Sequence, residues 1–271
     1  MLMFVTIEGV RLEYARLTPA NPREGSPPIV LLHEALGSVS LWGRFPRRLA
    51  EACGCEVIVY SRQGHGGSDP ATKTRTKGYL HRESTDVLPA LLEALRLERP
   101  LLLGHSDGAT IALMCAGETA IPLAGVVALA PHVLVEDVTV EGIQRTVGLW
   151  QSTDLRSRLA RHHSAENIDR VFADWHGIWL DPEFRDWNVE SSLRTIGCPV
   201  VAVQGAQDQY ATRDQFERIV GAIREVTPVW LEHCGHSPHR DHHHAVIEVT
   251  RHAAEVARLR RRGPSGLSGS T

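Results

Sequence analysis

Lysine is almost missing from this chain: Lys73 and Lys77 are the only two, and arginine supplies the rest of the 29 basic residues. That skew reads as genomic compositional bias with no functional consequence. An excess of charge is missing too, since 29 Lys+Arg stand against 32 Asp+Glu for a net charge of −3. Such a balance offers no global attraction to nucleic acid or to an anionic membrane. Cysteine is sparse, odd in number and scattered (Cys53, Cys55, Cys115, Cys198 and Cys234). Neither a disulfide ladder nor a paired zinc motif emerges, and a reducing compartment is the default. The most apolar stretch, Leu123–Val135, is too short to span a bilayer and contains Pro131 and His132. Met1–Tyr14 has no basic n-region and carries Glu8 and Glu13, which argues against a secretory signal. The expectation is a cytoplasmic protein with neither a membrane nor a nucleic acid as partner; its oligomeric state is open.

What the chain does have is 42% hydrophobic residues over a length of 271, enough for one large core or two small ones. Phe4–Ile7 and Val10–Leu17 flank Glu8-Gly9 as a β-hairpin. Short, uniformly apolar runs follow at Ile29–Leu32, Val57–Tyr60, Leu101–Leu103, Val126–Ala130, Val200–Val203 and Val229–Leu231. Strands apolar on both faces belong in a parallel sheet covered by helices. Helical periodicity fills the gaps at Ser84–Arg96, Ala109–Glu118, Arg213–Arg224 and Ala245–Arg261. The class is therefore α/β with a mostly parallel central sheet flanked by helices. Alternation fails between 136 and 196, where helical segments occur without a convincing strand. That segment is expected to be a helical insertion over the sheet, leaving a core of 1–135 plus 197–262. It holds Trp150, Trp175, Trp179 and Trp187, at least one of which is expected to face a ligand, with Trp150, Trp175 and Trp179 as candidate substrate-binding residues. The Gly/Ser-rich tail 263–271 is expected to be disordered.

Leu101-Leu102-Leu103-Gly104-His105-Ser106-Asp107-Gly108 sets G-x-S-x-G between an apolar strand and a helix. The flanking glycines let neighbouring backbone approach while the serine hydroxyl projects from a strained strand-to-helix turn. A hydroxyl is a poor nucleophile until a base takes its proton, and the base needs an orienting acid. In this arrangement acid and base follow the serine in that order, each just after a later strand. Asp208 lies just beyond Val200–Val203, and His236 just beyond Val229–Leu231. Taken singly, each has an ordinary reading: a helix N-cap, an Asx turn, one of 15 histidines. Jointly they read as a catalytic triad of Ser106, Asp208 and His236. An oxyanion hole needs two backbone N–H donors, assigned to Asp107 and to Ala35 in the loop after Ile29–Leu32.

With these residues in place, the chain resembles the α/β-hydrolase fold family over roughly residues 1–262. The resemblance is to its small capped serine hydrolases: esterases, lactonases, C–C bond hydrolases and MenH-type enzymes. His33 matches the family's His-Gly oxyanion motif, Trp42 a downstream tryptophan, and Gly64-His65-Gly66-Gly67-Ser68 its G-x-G-x-S loop. Two positions depart from the pattern: Glu34 stands where glycine is usual, and Ser61 where many members have aspartate. The resemblance makes 136–196 a cap that roofs the active site and largely sets the substrate.

The implied activity is hydrolysis of a small carboxylic ester, thioester or lactone through an acyl-enzyme on Ser106, with no cofactor and no metal. Two alternatives use the same scaffold: a C–C bond hydrolase or MenH-like lyase with the same triad, and a non-catalytic small-molecule-binding protein. His233, His236, His239, His242, His243 and His244 are dense enough to suggest metal, but no H-E-x-x-H or C-x-x-C organises them. Apart from His236 they are expected to be surface residues, and Cys234 a small packing residue. Glu34 and Asp107 border the site in sequence, so both are candidate substrate-binding acids for an amine or guanidinium.

Overall fold

The computed structural model describes residues 2–262, so the expected tail at 263–271 lies outside the described residues. Eight strands form one sheet: β1 (Leu2–Ile7), β2 (Val10–Leu17), β3 (Ile29–Leu32), β4 (Val57–Tyr60), β5 (Leu101–His105), β6 (Gly125–Leu129), β7 (Val200–Gly205) and β8 (Val226–Leu231). Their spatial order is β1-β2-β4-β3-β5-β6-β7-β8, antiparallel where β2 meets β1 and β4 and parallel elsewhere. Glu8 and Gly9 adopt φ of 50° and 80°, the left-handed backbone that a tight hairpin between β1 and β2 demands.

Successive residues of the central strands feed two buried layers. Ile29, Leu31, Val57, Val59, Leu101 and Leu103 pack under α1 (Phe45–Cys53) and the long α11 (His243–Arg262). Val30, Leu32, Ile58 and Leu102 face the layer that contains α2 (Tyr79–Arg82), α3 (Leu88–Ala94), α4 (Asp107–Glu118) and, nearer β7, α9 (Arg213–Ala222). This double coverage is why the strands read as continuous apolar runs.

The helix expected at Ser84–Arg96 is in fact α2, a π-helical turn at Glu83–Val87, and α3. Pro89 has no N–H to give to the carbonyl four residues back, so the helical ladder widens just before it. Between β6 and β7 the chain passes through α5 (Asp137–Ser152), α6 (Leu155–Leu159), α7 (Ile168–Trp179), a 3-10 turn at Pro182–Phe184 and α8 (Glu190–Leu193). A single isolated bridge, Leu134 to Asn188, is the extended pairing found there among the described residues. A short α10 (Pro238–Asp241) precedes α11.

The chain leaves β3 toward β4 on one side, and β5 lies on the other. Between β3 and β5 the strand order therefore reverses, and the loops at their C-terminal ends diverge to leave a crevice. The loop after β3 begins at His33, and Ser106 follows β5 directly.

Candidate active site

Ser106 takes φ 53° and ψ −120°, a conformation L-residues rarely adopt and one that costs about 1–3 kcal/mol. Its neighbours explain how the turn is tolerated. A Cβ on Gly104 would sit 2.2 Å from the Gly108 carbonyl oxygen, and one on Gly108 would sit 2.1 Å from that of Leu32. Only glycine fits at either place, so strand, turn and helix close tightly and leave Oγ free above the sheet. No side-chain cap bond ties Ser106 to α4.

The three residues expected to work together meet. His236 Nε2 lies 2.9 Å from Ser106 Oγ, and its Nδ1 lies 2.9 Å and 2.8 Å from the two carboxylate oxygens of Asp208. Because a carboxylate accepts, Nδ1–H donates to Asp208 and Nε2 faces the serine hydroxyl. Burial alone would raise the Asp208 carboxyl. The neighbouring His236 ring and its hydrogen bond, His132 and the Tyr210 N–H outweigh burial and hold it at about 2. Gln204 Nε2 donates to Asp208 Oδ2 at 2.7 Å, and the Tyr210 N–H to Oδ1 at 2.8 Å. The Asx turn is thus real, and Asp208 makes it while also facing His236. The Tyr210 ring stands edge-on to the His236 ring at 4.7 Å, and its hydroxyl meets Thr146 Oγ1 on α5 at 2.6 Å.

Sequence reasoning named His33 through the oxyanion motif but missed Arg62, and the two together hold the loop after β3. His33 Nδ1–H donates to the Glu34 carbonyl at 2.6 Å while its Nε2 accepts from the Arg62 N–H at 3.0 Å. Burial first, then the Arg62 charge, push the His33 ring well below its ordinary value and keep it neutral, which suits both bonds. The Arg62 guanidinium donates to the carbonyls of His33 and Glu34 at 3.1 Å and 3.0 Å. In a chain so rich in arginine, nothing local distinguishes Arg62 from a surface residue. Among the described residues, neither the Ala35 N–H nor the Asp107 N–H has an acceptor, and both residues line the cavity beside Ser106.

That cavity, of about 460 Å³, has Ser106 and His236 on its wall together with Ile143, Thr146, Trp175 and Trp179 from the helices between β6 and β7. Trp175 and Trp179 therefore line the cavity. Trp150 does not: its ring stacks flat on Phe172 at 3.9 Å and 7°, joining α5 to α7 away from the cavity lining. Asp107 is corrected as well. Its Oδ2 accepts from Tyr79 Oη at 2.7 Å and lies 3.9 Å from Arg62 Nη2, so the carboxylate is spent inside the protein. Glu34 does line the cavity, with Oε2 3.7 Å from His105 Nδ1. Burial would raise its carboxyl, but His105, His239 and Arg240 bring it down to about 2. Two guanidiniums, Arg158 and Arg240, line the same cavity.

Of the clustered histidines, His239 is buried rather than exposed, its ring 4.7 Å from Trp42 and 4.8 Å from His105. It follows Pro238 into α10, which packs back on the sheet. Among the described residues no group of His, Cys, Asp and Glu has the arrangement of a metal site, and no helix is long and apolar enough to cross a membrane.

A strained serine between β5 and α4, with a carboxylate–imidazole pair delivered by the loops after β7 and β8, defines a class. The model of the Alpha/beta hydrolase family matches residues 29–249, and the chain belongs to that family. Among its curated relatives is 2-hydroxy-6-oxononadienedioate/2-hydroxy-6-oxononatrienedioate hydrolase 2 of Pseudomonas putida. It is 25% identical over 252 residues, covering 81% of this chain and 84% of that one. The serine hydrolase BPHL of Homo sapiens is 27% identical over 215 residues, 77% of this chain and 71% of that one. Among solved structures, the enol-lactonase from Burkholderia xenovorans LB400 shares the fold with a TM-score of 0.73 and 18% identity, covering 93% of this chain and all of that one.

Proposed function

We propose that the protein hydrolyses a small carboxylic ester, thioester or lactone through an acyl-enzyme on Ser106. The observation that carries this reading is the unbroken hydrogen-bonded series Asp208–His236–Ser106, opening into a cavity. In the first half-reaction Ser106 Oγ attacks the acyl carbon while His236 Nε2 takes its proton. The imidazolium, stabilised by Asp208, then returns that proton to the leaving oxygen or sulfur. In the second half His236 deprotonates a water, which attacks the acyl group and frees Ser106. Negative charge on the tetrahedral carbonyl oxygen would be met by the N–H groups of Ala35 and Asp107, the latter at the positive end of α4. The helices between β6 and β7 act in this reading as a cap that encloses the acyl group. Its wall groups include Ile143, Leu155, Leu159, Trp175 and Trp179, with the hydroxyls of Thr139 and Thr146 and the polar Arg158 and His162.

Ser106→Ala should keep the fold and lower kcat on a p-nitrophenyl ester by at least ~10³-fold, because one oxygen at the turn is removed. A variant retaining more than about a tenth of wild-type turnover would take the nucleophile away from Ser106. A second reading, C–C bond hydrolysis, is favoured by the Pseudomonas putida relative. In it the same serine and histidine serve mainly proton transfer. Turnover of a dienol ketone without any trapped acyl-serine would support it over ester hydrolysis.

A further inference from the structure

The two backbone donors assigned to the oxyanion are tied to the cavity roof by one continuous buried chain. Trp179, at the end of α7, donates from Nε1 to Tyr79 Oη at 2.9 Å, and Tyr79 donates to Asp107 Oδ2 at 2.7 Å. Asp107 pairs with the Arg62 guanidinium, which grips the His33 and Glu34 carbonyls. In a planar trans peptide the N–H points opposite to the C=O. Pinning the Glu34 carbonyl therefore aims the Ala35 N–H, and holding the Asp107 side chain fixes the first residue of α4, whose own N–H is the other donor.

Stability alone does not call for such a chain. The side chains of Arg62 and Asp107 are each only 2% exposed, and a buried ion pair of this kind is rarely worth more than apolar residues of the same volume. Its ends also matter: one is a wall of the cavity, the other the loop beside the serine. The neighbouring charges are Arg75, whose guanidinium lies 4.9 Å over the Tyr79 ring, and the buried Glu83 in the π-helical turn next to α2. Neither takes the place of a link in the chain.

We propose that Trp179, Tyr79, Asp107 and Arg62 form a positioning relay, through which the seating of the roof on a bound acyl group sets the aim of both oxyanion donors. The relay rests on Ser106 being the nucleophile. It makes Tyr79 and Arg62 positioning residues that never touch substrate, and gives Trp179 two separable tasks, contact with the acyl group and control of the hole.

A double-mutant cycle on Tyr79→Phe and Trp179→Phe separates these tasks. Tyr79→Phe should lower kcat about 10-fold with KM within about 2-fold, since an interaction felt mainly in the transition state is weakened. Trp179→Phe should lower kcat and raise KM. In the double variant the kcat loss should fall short of the product of the single losses by about 3-fold or more, because the second change cuts a relay already broken. Losses that simply multiply would overturn the proposal. A readout independent of turnover is the amide resonances of Ala35 and Asp107, which should both shift in Tyr79→Phe; two unmoved resonances would also overturn it. A wild-type protein that cleaves no ester refutes the hydrolase reading instead, and the amide shifts still decide the relay.

Discussion

Glu34 brings a carboxylate to the cavity wall at a position where glycine is usual, and its surroundings decide what it can do there. His105, His239 and Arg240 hold it ionised, and Arg158, paired with Asp154 at 3.5 Å, stands in the same cavity wall. A substrate carrying an amine would meet Arg240 and the Asp154-paired Arg158 as well as the Glu34 carboxylate. At an effective dielectric near 20 each such charge is felt by about a kcal/mol or more at 10 Å. The expected outcome is a kcat/KM for an amine-bearing ester several-fold below that of its matched neutral ester, falling further in Glu34→Gln. A wild-type preference for the amine that disappears in Glu34→Gln would make Glu34 an amine ligand after all. Ser106, Asp208 and His236 were legible because each signal is local: glycines at fixed offsets, or one residue type just past an apolar run. Arg62, Tyr79, His132 and Tyr210 were not, because what distinguishes them is a partner far along the chain.

Among the elements, strands were easier to read than helices. Double-sided burial makes a strand a continuous apolar run, whereas the helix around Pro89 hides a π-helical turn that periodicity smooths over. β8 begins at Val226, earlier than its apolar run suggests, because Pro228 is tolerated on an edge strand with no neighbour to receive its missing N–H. The helices between β6 and β7 were legible as a segment, yet the outward direction of each tryptophan was not. Trp150 and Trp175 lie on different helices and do different work: one stacks on Phe172, the other lines the cavity. Trp150→Ala should therefore lower the melting temperature with KM nearly unchanged, while Trp175→Ala should raise KM several-fold. Equal KM effects in the two variants, measured on one ester, would contradict this division.

Across the whole molecule, the titratable interior sets a direction for acid stability. Burial holds His33, His65, His132 and His239 below the ordinary imidazole value of 6.5, His132 at about 3. Below pH 6.5 the unfolded chain takes up protons that the native rings refuse, so stability is full above that value and falls with pH. For His132 alone the loss at pH 5 is about 2 kcal/mol. Asp208 and Glu34 act lower down. Their native values near 2 make contributions present above their ordinary values of 3.8 and 4.5, which are lost as pH falls through about 2. The melting temperature should thus already fall between pH 7 and pH 5, the four histidines outweighing the buried Glu83, whose carboxyl burial raises and which acts in the opposite direction. A flat melting temperature over that interval would contradict the neutral burial of these histidines.

The central claim is that Ser106 is an activated nucleophile rather than a helix-capping hydroxyl, and an alkyl fluorophosphonate tests it most directly. Incubation followed by intact-mass and peptide mass spectrometry should find one phosphonyl adduct per chain, on Ser106, absent from Ser106→Ala and formed at least ~10²-fold more slowly in His236→Ala. An unmodified wild-type protein, or an adduct on any other residue, would contradict the account.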